Sequence, residues 1–203
     1  MSRAETQWDK ADKSYRNYIG YINRKSDKFE LSLIDLLFVS NFKGGNASIH
    51  EEESSVNRKL GRYSELLREI SSKLGVKSLR QLTEEELVWL TEKAYSFVCL
   101  TLDGNTAIDG FKVSYASALL HFCFPELVPI LDRRVLNGAG IKVELNKQGQ
   151  VISIEKYYPH LFRVFYDNLR DNPLKSLRDL DKEFFTKEFN ETLVTQLYQA
   201  SSR

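Results

Sequence analysis

The stretch IDGFKVSYASALLHFCFPELVPILDRRVL, residues 108–136, decides the fold expected for this chain. It opens with a tight turn in which Gly110 can take a positive φ. Residues 113–124 then predict a compact apolar helix, which Pro125 ends because a proline ring excludes the α conformation from the residue before it. The apolar connection that follows leads to one carboxylate, Asp132, at the predicted start of another helix. A lone acid after so apolar a run is the most informative feature of the sequence.

This arrangement resembles the helix-hairpin-helix DNA glycosylases, the superfamily that includes 8-oxoguanine DNA glycosylase. Members carry a hairpin of the type Leu-Pro-Gly-Val-Gly, then a helix, then a Val-Pro-x-Asp segment that bears the catalytic aspartate. In this chain the hairpin reads IDGFK at 108–112 and the later segment reads VPILD at 128–132. The match is closer still to small bacterial glycosylase-like proteins that combine ASALLHF, here 116–122, with PILD. A tail segment at 177–185 (LRDLDKEFF) extends the resemblance, which covers roughly residues 29–185.

The resemblance implies a mechanism for Asp132. Cleavage of an N-glycosidic bond builds positive charge on the sugar, so a carboxylate beside C1′ stabilises the transition state and can orient water. Bifunctional members also carry a nucleophilic lysine two residues after the second hairpin glycine. Here Lys112 replaces that glycine, and Ser114 stands in the place of the lysine. We therefore expect a monofunctional DNA glycosylase that needs no cofactor. The alternative for Asp132 is a purely structural role as the N-cap of the next helix, and one residue can fill both roles.

The hairpin is the first of two DNA-binding segments that the resemblance implies. It would bind the DNA backbone through exposed N–H groups and the start of the following helix, with Gly110, Lys112 and Ser114 as contacts. Lys112 is the only lysine near the expected nucleophile position, but at a hairpin position it more naturally meets phosphate. Arg133 can also contact phosphate, although a solvated surface arginine is the simpler interpretation.

The second segment is the loop SNFKGGNAS at 40–48, which follows an apolar helix predicted at 29–39. In 8-oxoguanine-type glycosylases the corresponding loop enters the minor groove and fills the gap that the flipped base leaves. The resemblance is one of position, and it makes Asn41, Phe42, Lys43 and Asn46 the candidate DNA contacts. An ordinary Gly-Gly connector explains the same composition equally well.

The whole chain predicts a mostly α-helical, glycosylase-like domain with one β-hairpin insert. Residues 141–145 and 151–154 alternate around a polar turn at 146–150, which predicts an antiparallel strand pair. Helical patterns elsewhere include a charged helix or pair of helices at 49–74 that Gly75 ends, a helix opened by Thr83 and Glu86, and an aromatic helix at 157–170. We expect one domain over 1–203, with a core at 29–136 that contains the helix-hairpin-helix turn and Asp132, a β-hairpin at 141–154 and C-terminal helices at 155–203.

The N-terminal segment adds an aromatic face to this domain. Tyr15, Tyr18 and Ile22 recur at helical spacing, which predicts a helix packed on the main body. The alternative is that a tyrosine of this helix lines a pocket for the flipped base.

Composition limits the remaining possibilities. The net charge of +1 means that a nucleic-acid surface must come from local clustering of charge. Two cysteines are too few for the iron–sulfur cluster of some glycosylases, and the three histidines lack the spacing of metal ligands. No apolar run reaches the roughly 20 residues of a membrane span, and nothing resembles a signal peptide. We expect a cytoplasmic monomer.

The substrate implied is double-stranded DNA that contains a modified or damaged base, removed in repair or in defence against modified foreign DNA. The sequence does not indicate which base. Two other classes of function fit the same pattern: a DNA-binding helix-hairpin-helix module without catalysis, and a helical interaction protein that binds no nucleic acid.

Overall fold

Helices make up most of the computed structural model, which describes residues 3–45 and 47–187. In chain order the α-helices are α1 (Arg3–Ile22), α2 (Leu33–Phe42), α3 (Glu53–Leu74), α4 (Glu84–Cys99), α5 (Val113–Cys123), α6 (Arg133–Gly138), α7 (Tyr158–Asp171) and α8 (177–187). Two short 3-10 helices, Leu79–Gln81 and Ile154–Tyr157, precede α4 and α7. The last part of the predicted C-terminal region, 188–203, lies outside the described residues.

Helix α5 is the centre of the core, as its apolar sequence predicts. All of its residues from Ala116 to Cys123 are buried, and α1, α2 and α4 pack against it. Two polar residues of this buried stretch, Ser117 and His121, are buried as completely as the leucines of α5. Buried polar groups need hydrogen-bond partners, so these two side chains must bond to neighbouring backbone.

The local signals that bound the helices act as predicted. Gly75 ends α3 with φ 57°, a conformation that suits glycine. Thr83 and Glu86 form a reciprocal capping box at α4, in which each side chain accepts the backbone N–H of the other residue. Gly110 has φ 82° in a turn closed by a hydrogen bond of 3.0 Å from the Phe111 N–H to the Ile108 carbonyl.

Three predicted boundaries, in two helices, are wrong. Helix α2 begins at Leu33 rather than at residue 29. Ser32 is its N-cap, and the Asp35 side chain in the first turn accepts the Ser32 N–H. It also continues to Phe42, so residues 40–42 of the predicted loop form its last turn. Helix α3 likewise begins at Glu53 rather than at residue 49.

The predicted strand pair is reduced to a single antiparallel bridge between Leu145 and Val151, and the described residues contain no strand. The turn between them has the expected chemistry, since the Asn146 side chain accepts the N–H groups of Gln148 and Gln150. The second strand cannot extend because Ser153 takes φ 48° and a 3-10 helix follows it at once.

None of the described helices combines the length and the apolar character needed to cross a membrane.

Candidate functional site

The segment 128–131, which delivers Asp132, is held by buried polar side chains. On α5, Ser117 Oγ accepts the Leu131 N–H at 3.0 Å and lies 3.3 Å from the Leu131 carbonyl. His121 Nδ1 lies 2.7 Å from the Val128 carbonyl, and the Tyr158 hydroxyl of α7 donates to the Pro129 carbonyl at 2.9 Å. Ser117 and His121, the two fully buried polar residues of α5, therefore help to fix the path of the segment that leads to Asp132.

Asp132 is the N-cap of α6, and its carboxylate is paired on both oxygens. Oδ1 accepts the Arg134 N–H at 3.0 Å, while Oδ2 accepts a short hydrogen bond from the Lys43 ammonium. The side chain is 24% exposed. Burial acts to raise the pKa of Asp132, but the charge and hydrogen bond of Lys43 and the Arg134 N–H outweigh it, so the pKa lies below its ordinary value. The acid is thus ionised at neutral pH.

The amine beside Asp132 belongs to Lys43, which the sequence indicated only as a DNA contact. Lys43 is the C-cap of α2, and its side chain is 13% exposed. Lys112, the lysine that the sequence places nearest the nucleophile position, is exposed at the start of α5. The lysine that contacts Asp132 therefore comes from the end of α2, far from the hairpin in the sequence.

A second group of side chains surrounds Arg178 of α8, and we call it the Arg178 cluster. The Arg178 guanidinium carbon lies 3.9 Å from the ring centre of Trp8, 4.3 Å from that of Tyr15 and 5.8 Å from that of Phe42. Arg178 Nη1 donates to the buried carboxylate of Asp181 at 2.7 Å. Its members are Trp8, Tyr15, Phe42, His121, Arg178 and Asp181.

The Arg178 cluster and Asp132 are neighbours. Phe42 and Lys43 are consecutive, so one turn of α2 contributes an aromatic ring to the cluster and an ammonium to Asp132. Burial raises the pKa of Asp181 to about 6, with Arg178 opposing this rise, the charge of Asp132 adding to it and Lys43 also opposing it. The charges of the two sites therefore influence each other directly.

His121 is the cluster's fully buried member, and its environment fixes its protonation. Burial lowers the pKa of His121 to about 3, the bond to the Val128 carbonyl opposes this shift, and the charge of Arg178 adds to it. The neutral ring donates from Nδ1 to that carbonyl, which leaves Nε2 as an acceptor. Nε2 has no hydrogen-bond partner among the described residues. His121 is therefore a core histidine with a hydrogen-bond partner at one of its two nitrogens.

The hairpin turn is packed against the segment before α3. A Cβ at Gly110 would lie 1.9 Å from the Ser48 carbonyl oxygen, so this glycine allows two backbone segments to touch. The Asp109 N–H donates to Glu51 Oε1 at 2.7 Å, and Lys59 pairs with the same carboxylate. One hairpin donor is therefore occupied. The exposed Lys112 and the half-buried Ser114 stand beside it.

The remaining candidate DNA contacts are dispersed. Asn41 is exposed and its amide donates to Ser14 Oγ at 3.0 Å. Phe42 is turned inward, with its ring 5.1 Å from that of Phe122, and does not project from a loop as the sequence indicated. Arg133 donates from Nη1 to the Gly149 carbonyl at 2.6 Å, which ties α6 to the turn at 146–150. Asn46 lies outside the described residues.

Sequence reasoning missed Arg178 and Asp181. The tail motif that contains them was recognised, but only as a segment similar to other proteins, and nothing local distinguishes Arg178 among the 29 basic residues of the chain. The one available signal was the aromatic spacing of α1, which places Tyr15 on the packed face of that helix, where its ring contacts Arg178.

In the part of the chain that the structure describes, no three histidine, cysteine, aspartate or glutamate side chains group in a way that could hold a metal ion. Comparisons with protein-family models, with curated proteins and with solved structures found no match.

Proposed function

We propose that this protein is a helix-hairpin-helix-type DNA glycosylase that hydrolyses the N-glycosidic bond of a modified base, with Asp132 as the catalytic carboxylate. One observation carries the proposal. Asp132 is an ionised acid at a helix start, it is held by Lys43 and by the Arg134 N–H, and an aromatic and guanidinium cluster lies next to it. Base excision needs this pairing of a fixed negative charge with flat, stacking surfaces.

In the proposed reaction the flipped nucleotide places C1′ of its sugar beside Asp132. As the bond between the base and C1′ breaks, the positive charge that grows on the sugar is stabilised by the carboxylate; the oxygen of a water molecule bonds to C1′, and the proton it releases is balanced by protonation of the departing base. Lys43 keeps the acid ionised in a half-buried position, where an unpaired carboxyl group would favour its neutral form. The products are a free base and an abasic site.

The exposed Lys112 of the hairpin and the half-buried Ser114 of α5, together with Arg133, are the proposed contacts to phosphate. A tight turn followed by a helix start offers backbone N–H groups to an anion, and in the described turn the Asp109 N–H alone is taken by a carboxylate. The glycines of the loop after α2, Gly44 and Gly45, are exposed with positive φ and make that loop the proposed approach to the minor groove.

The test is Asp132→Asn, assayed by single-turnover base release from duplexes that each contain a different modified base. Asparagine can still accept the Arg134 N–H and cap α6, so the fold should persist while the charge is lost. We expect the wild-type protein to release at least one base, and the variant to be slower by on the order of 100-fold or more.

Asp35→Asn is the matched control, because it breaks the other buried lysine–aspartate pair, between Lys25 and Asp35. It should lower stability without a selective loss of base release. Wild-type rates from a folded Asp132→Asn protein would contradict the proposal, as would the absence of base release from every duplex by the wild-type protein.

A further inference from the structure

Arg178 presents one edge of its guanidinium without a hydrogen-bond partner. Nε and Nη2 are buried, and neither donates to an acceptor among the described residues. These two nitrogens carry parallel N–H groups on the same side of the guanidinium plane, the geometry that binds two adjacent acceptors at once. The nearest carboxylate on that side, Asp12, has Oδ1 3.8 Å from Nη2, which is beyond hydrogen-bond distance, and Asp12 also pairs with Arg16 at 3.0 Å.

The surroundings of this edge select the kind of acceptor. Asp181 already neutralises the guanidinium through Nη1, and the Asp12 carboxylate lies 3.8 Å from Nη2. A phosphate or carboxylate at this edge would therefore be repelled by two acids. The rings of Trp8, Tyr15 and Phe42 surround the guanidinium, so a ligand that reaches its unpartnered edge has flat apolar groups as neighbours. A planar, uncharged ligand with two neighbouring acceptors fits both features.

We propose, on the basis of the proposed glycosylase function, that the Arg178 cluster binds the extruded base and selects a purine with an oxygen at C6 and an unmodified N7. An arginine fork that pairs with O6 and N7 is the commonest specific contact between proteins and guanine-type edges. The bases of this class that arise as damage are hypoxanthine and xanthine, the deamination products of adenine and guanine.

The same chemistry excludes the other common purines. Adenine presents a donor at C6 in place of the acceptor, 8-oxoguanine carries a proton on N7, and 7-methylguanine carries a methyl group there. Guanine has the correct edge, but its pairing with cytosine makes extrusion costly, whereas a mispaired hypoxanthine leaves the stack more readily. The unpartnered acceptor His121 Nε2, whose ring lies 5.6 Å from that of Tyr15, can receive the N1–H that these deaminated bases carry next to O6.

The cluster's position suits this role. Phe42 and Lys43 connect it to Asp132, so a base stacked in the cluster places its glycosidic bond toward the acid. The Arg178 side chain is 17% exposed and that of Asp132 is 24% exposed, whereas the Nε and Nη2 atoms of Arg178 are themselves buried, so a base reaches them only when a neighbouring side chain moves.

The experiment measures binding by the full-length Asp132→Asn protein to three duplexes that differ in one base opposite thymine: hypoxanthine, 7-deazahypoxanthine and adenine. The two hypoxanthines share O6 and the mispair, and they differ only in whether position 7 accepts a hydrogen bond. We expect hypoxanthine to bind about 10-fold or more tighter than either of the other two. Because this comparison changes the ligand alone, it does not depend on the folding of an Arg178 variant.

In the Asp132→Asn background, Arg178→Lys should abolish the preference for hypoxanthine over its 7-deaza analogue, since an ammonium cannot offer two parallel donors. The control is Arg163→Lys, which alters another arginine that lies over a tyrosine ring and pairs with a carboxylate, outside the cluster. It should keep the preference.

Equal affinity for hypoxanthine and 7-deazahypoxanthine would overturn the inference, and so would competition by millimolar inorganic phosphate that affects all three duplexes equally. Base release from other modified duplexes in that case would leave the proposed glycosylase function standing. Conversely, a clear N7 preference in a protein that releases no base would support the site and contradict the enzyme. A folded protein that binds none of the duplexes overturns both.

Discussion

The pairing of Lys43 with Asp132 decides which chemistry these two residues can perform. An amine attacks through a free lone pair, whereas the Lys43 nitrogen is engaged as a hydrogen-bond donor to Asp132. Asp132 is at the same time kept ionised by the Lys43 ammonium. The pair therefore favours hydrolysis assisted by a carboxylate over attack by a lysine.

From this we predict that the protein leaves an intact abasic site and forms no covalent intermediate. Borohydride reduction during turnover should trap no protein–DNA adduct, and strand breaks should appear only after heat or alkali. A known bifunctional glycosylase serves as the positive control for trapping. If an adduct does form, its loss in Lys43→Gln but not in Lys112→Gln would identify Lys43 as the nucleophile and contradict the prediction.

Burial shifts the pKa values of two residues of the Arg178 cluster in opposite directions, and the two shifts have opposite effects on stability. The pKa of Asp181 is raised to about 6, so the folded state holds its proton more strongly than the unfolded state, and stability falls as pH rises from about 4 to 6. The pKa of His121 is lowered to about 3, so the unfolded state binds the proton more strongly, and stability rises with pH between about 3 and 6.5. Between pH 4 and 6 the two contributions oppose each other.

Asp181→Asn should therefore expose the contribution of His121. Between pH 4 and 6 the free energy of unfolding of this variant should rise with pH more steeply than that of the wild-type protein, by up to about 1.4 kcal/mol per pH unit. The measurement is urea denaturation at several pH values for both proteins, with Asp179→Asn, an exposed aspartate of α8, as the control. Parallel curves for Asp181→Asn and wild type would show that Asp181 titrates normally.

At the scale of elements, the geometry of the site depends on where α5 begins. The hairpin turn at Gly110 sets that point, and it is wedged against the backbone of Ser48. Helix α5 then carries Ser117 and His121, which hold the segment that presents Asp132. A shift at the turn would therefore be transmitted through α5 to Asp132.

Gly110→Ala tests this dependence, with Gly140→Ala as its control. Both glycines have positive φ, 82° and 76°, so both substitutions should cost about 1–2 kcal/mol of backbone strain. An added Cβ meets nothing within 4 Å at Gly140, but at Gly110 it lies 1.9 Å from a carbonyl oxygen. Chemical denaturation should show a clearly larger loss of stability for Gly110→Ala. Equal losses would mean that the segment at Ser48 moves aside freely.

The signals that sequence reasoning read correctly are local. The Gly110 turn, the α5 helix, the capping box of α4 and the cap at Asp132 each depend on residues a few positions apart. The predicted strand pair was wrong because alternation does not reveal the 3-10 helix at Ile154, which truncates it. The Arg178 cluster could not be predicted, because it is assembled from α1, α2, α5 and α8, and such contacts between distant segments leave no pattern in the sequence.

At the scale of the whole molecule, a net charge of +1 means that DNA binding cannot come from a general positive field. Many basic side chains already form ion pairs with acids of the same chain, as Lys59 does with Glu51 and Lys93 does with Glu69. The proposed DNA-binding surface is accordingly small, and it consists of the hairpin and the start of α6. A small surface implies few phosphate contacts and a modest dependence of affinity on salt.

The salt dependence of affinity locates this surface. Each phosphate contact contributes about 0.9 to the slope of log affinity against log salt for duplex DNA. Lys112→Ala and Arg133→Ala should each reduce the magnitude of the slope by about that amount, whereas Lys93→Ala, in α4, should leave it unchanged. The slope is the informative quantity for Arg133, because loss of its bond to the Gly149 carbonyl can weaken binding without removing a phosphate contact. The measurement is the affinity of each variant for one duplex at four or more salt concentrations. Slopes that stay at the wild-type value in both Lys112→Ala and Arg133→Ala would show that DNA, if bound, contacts another face of the molecule.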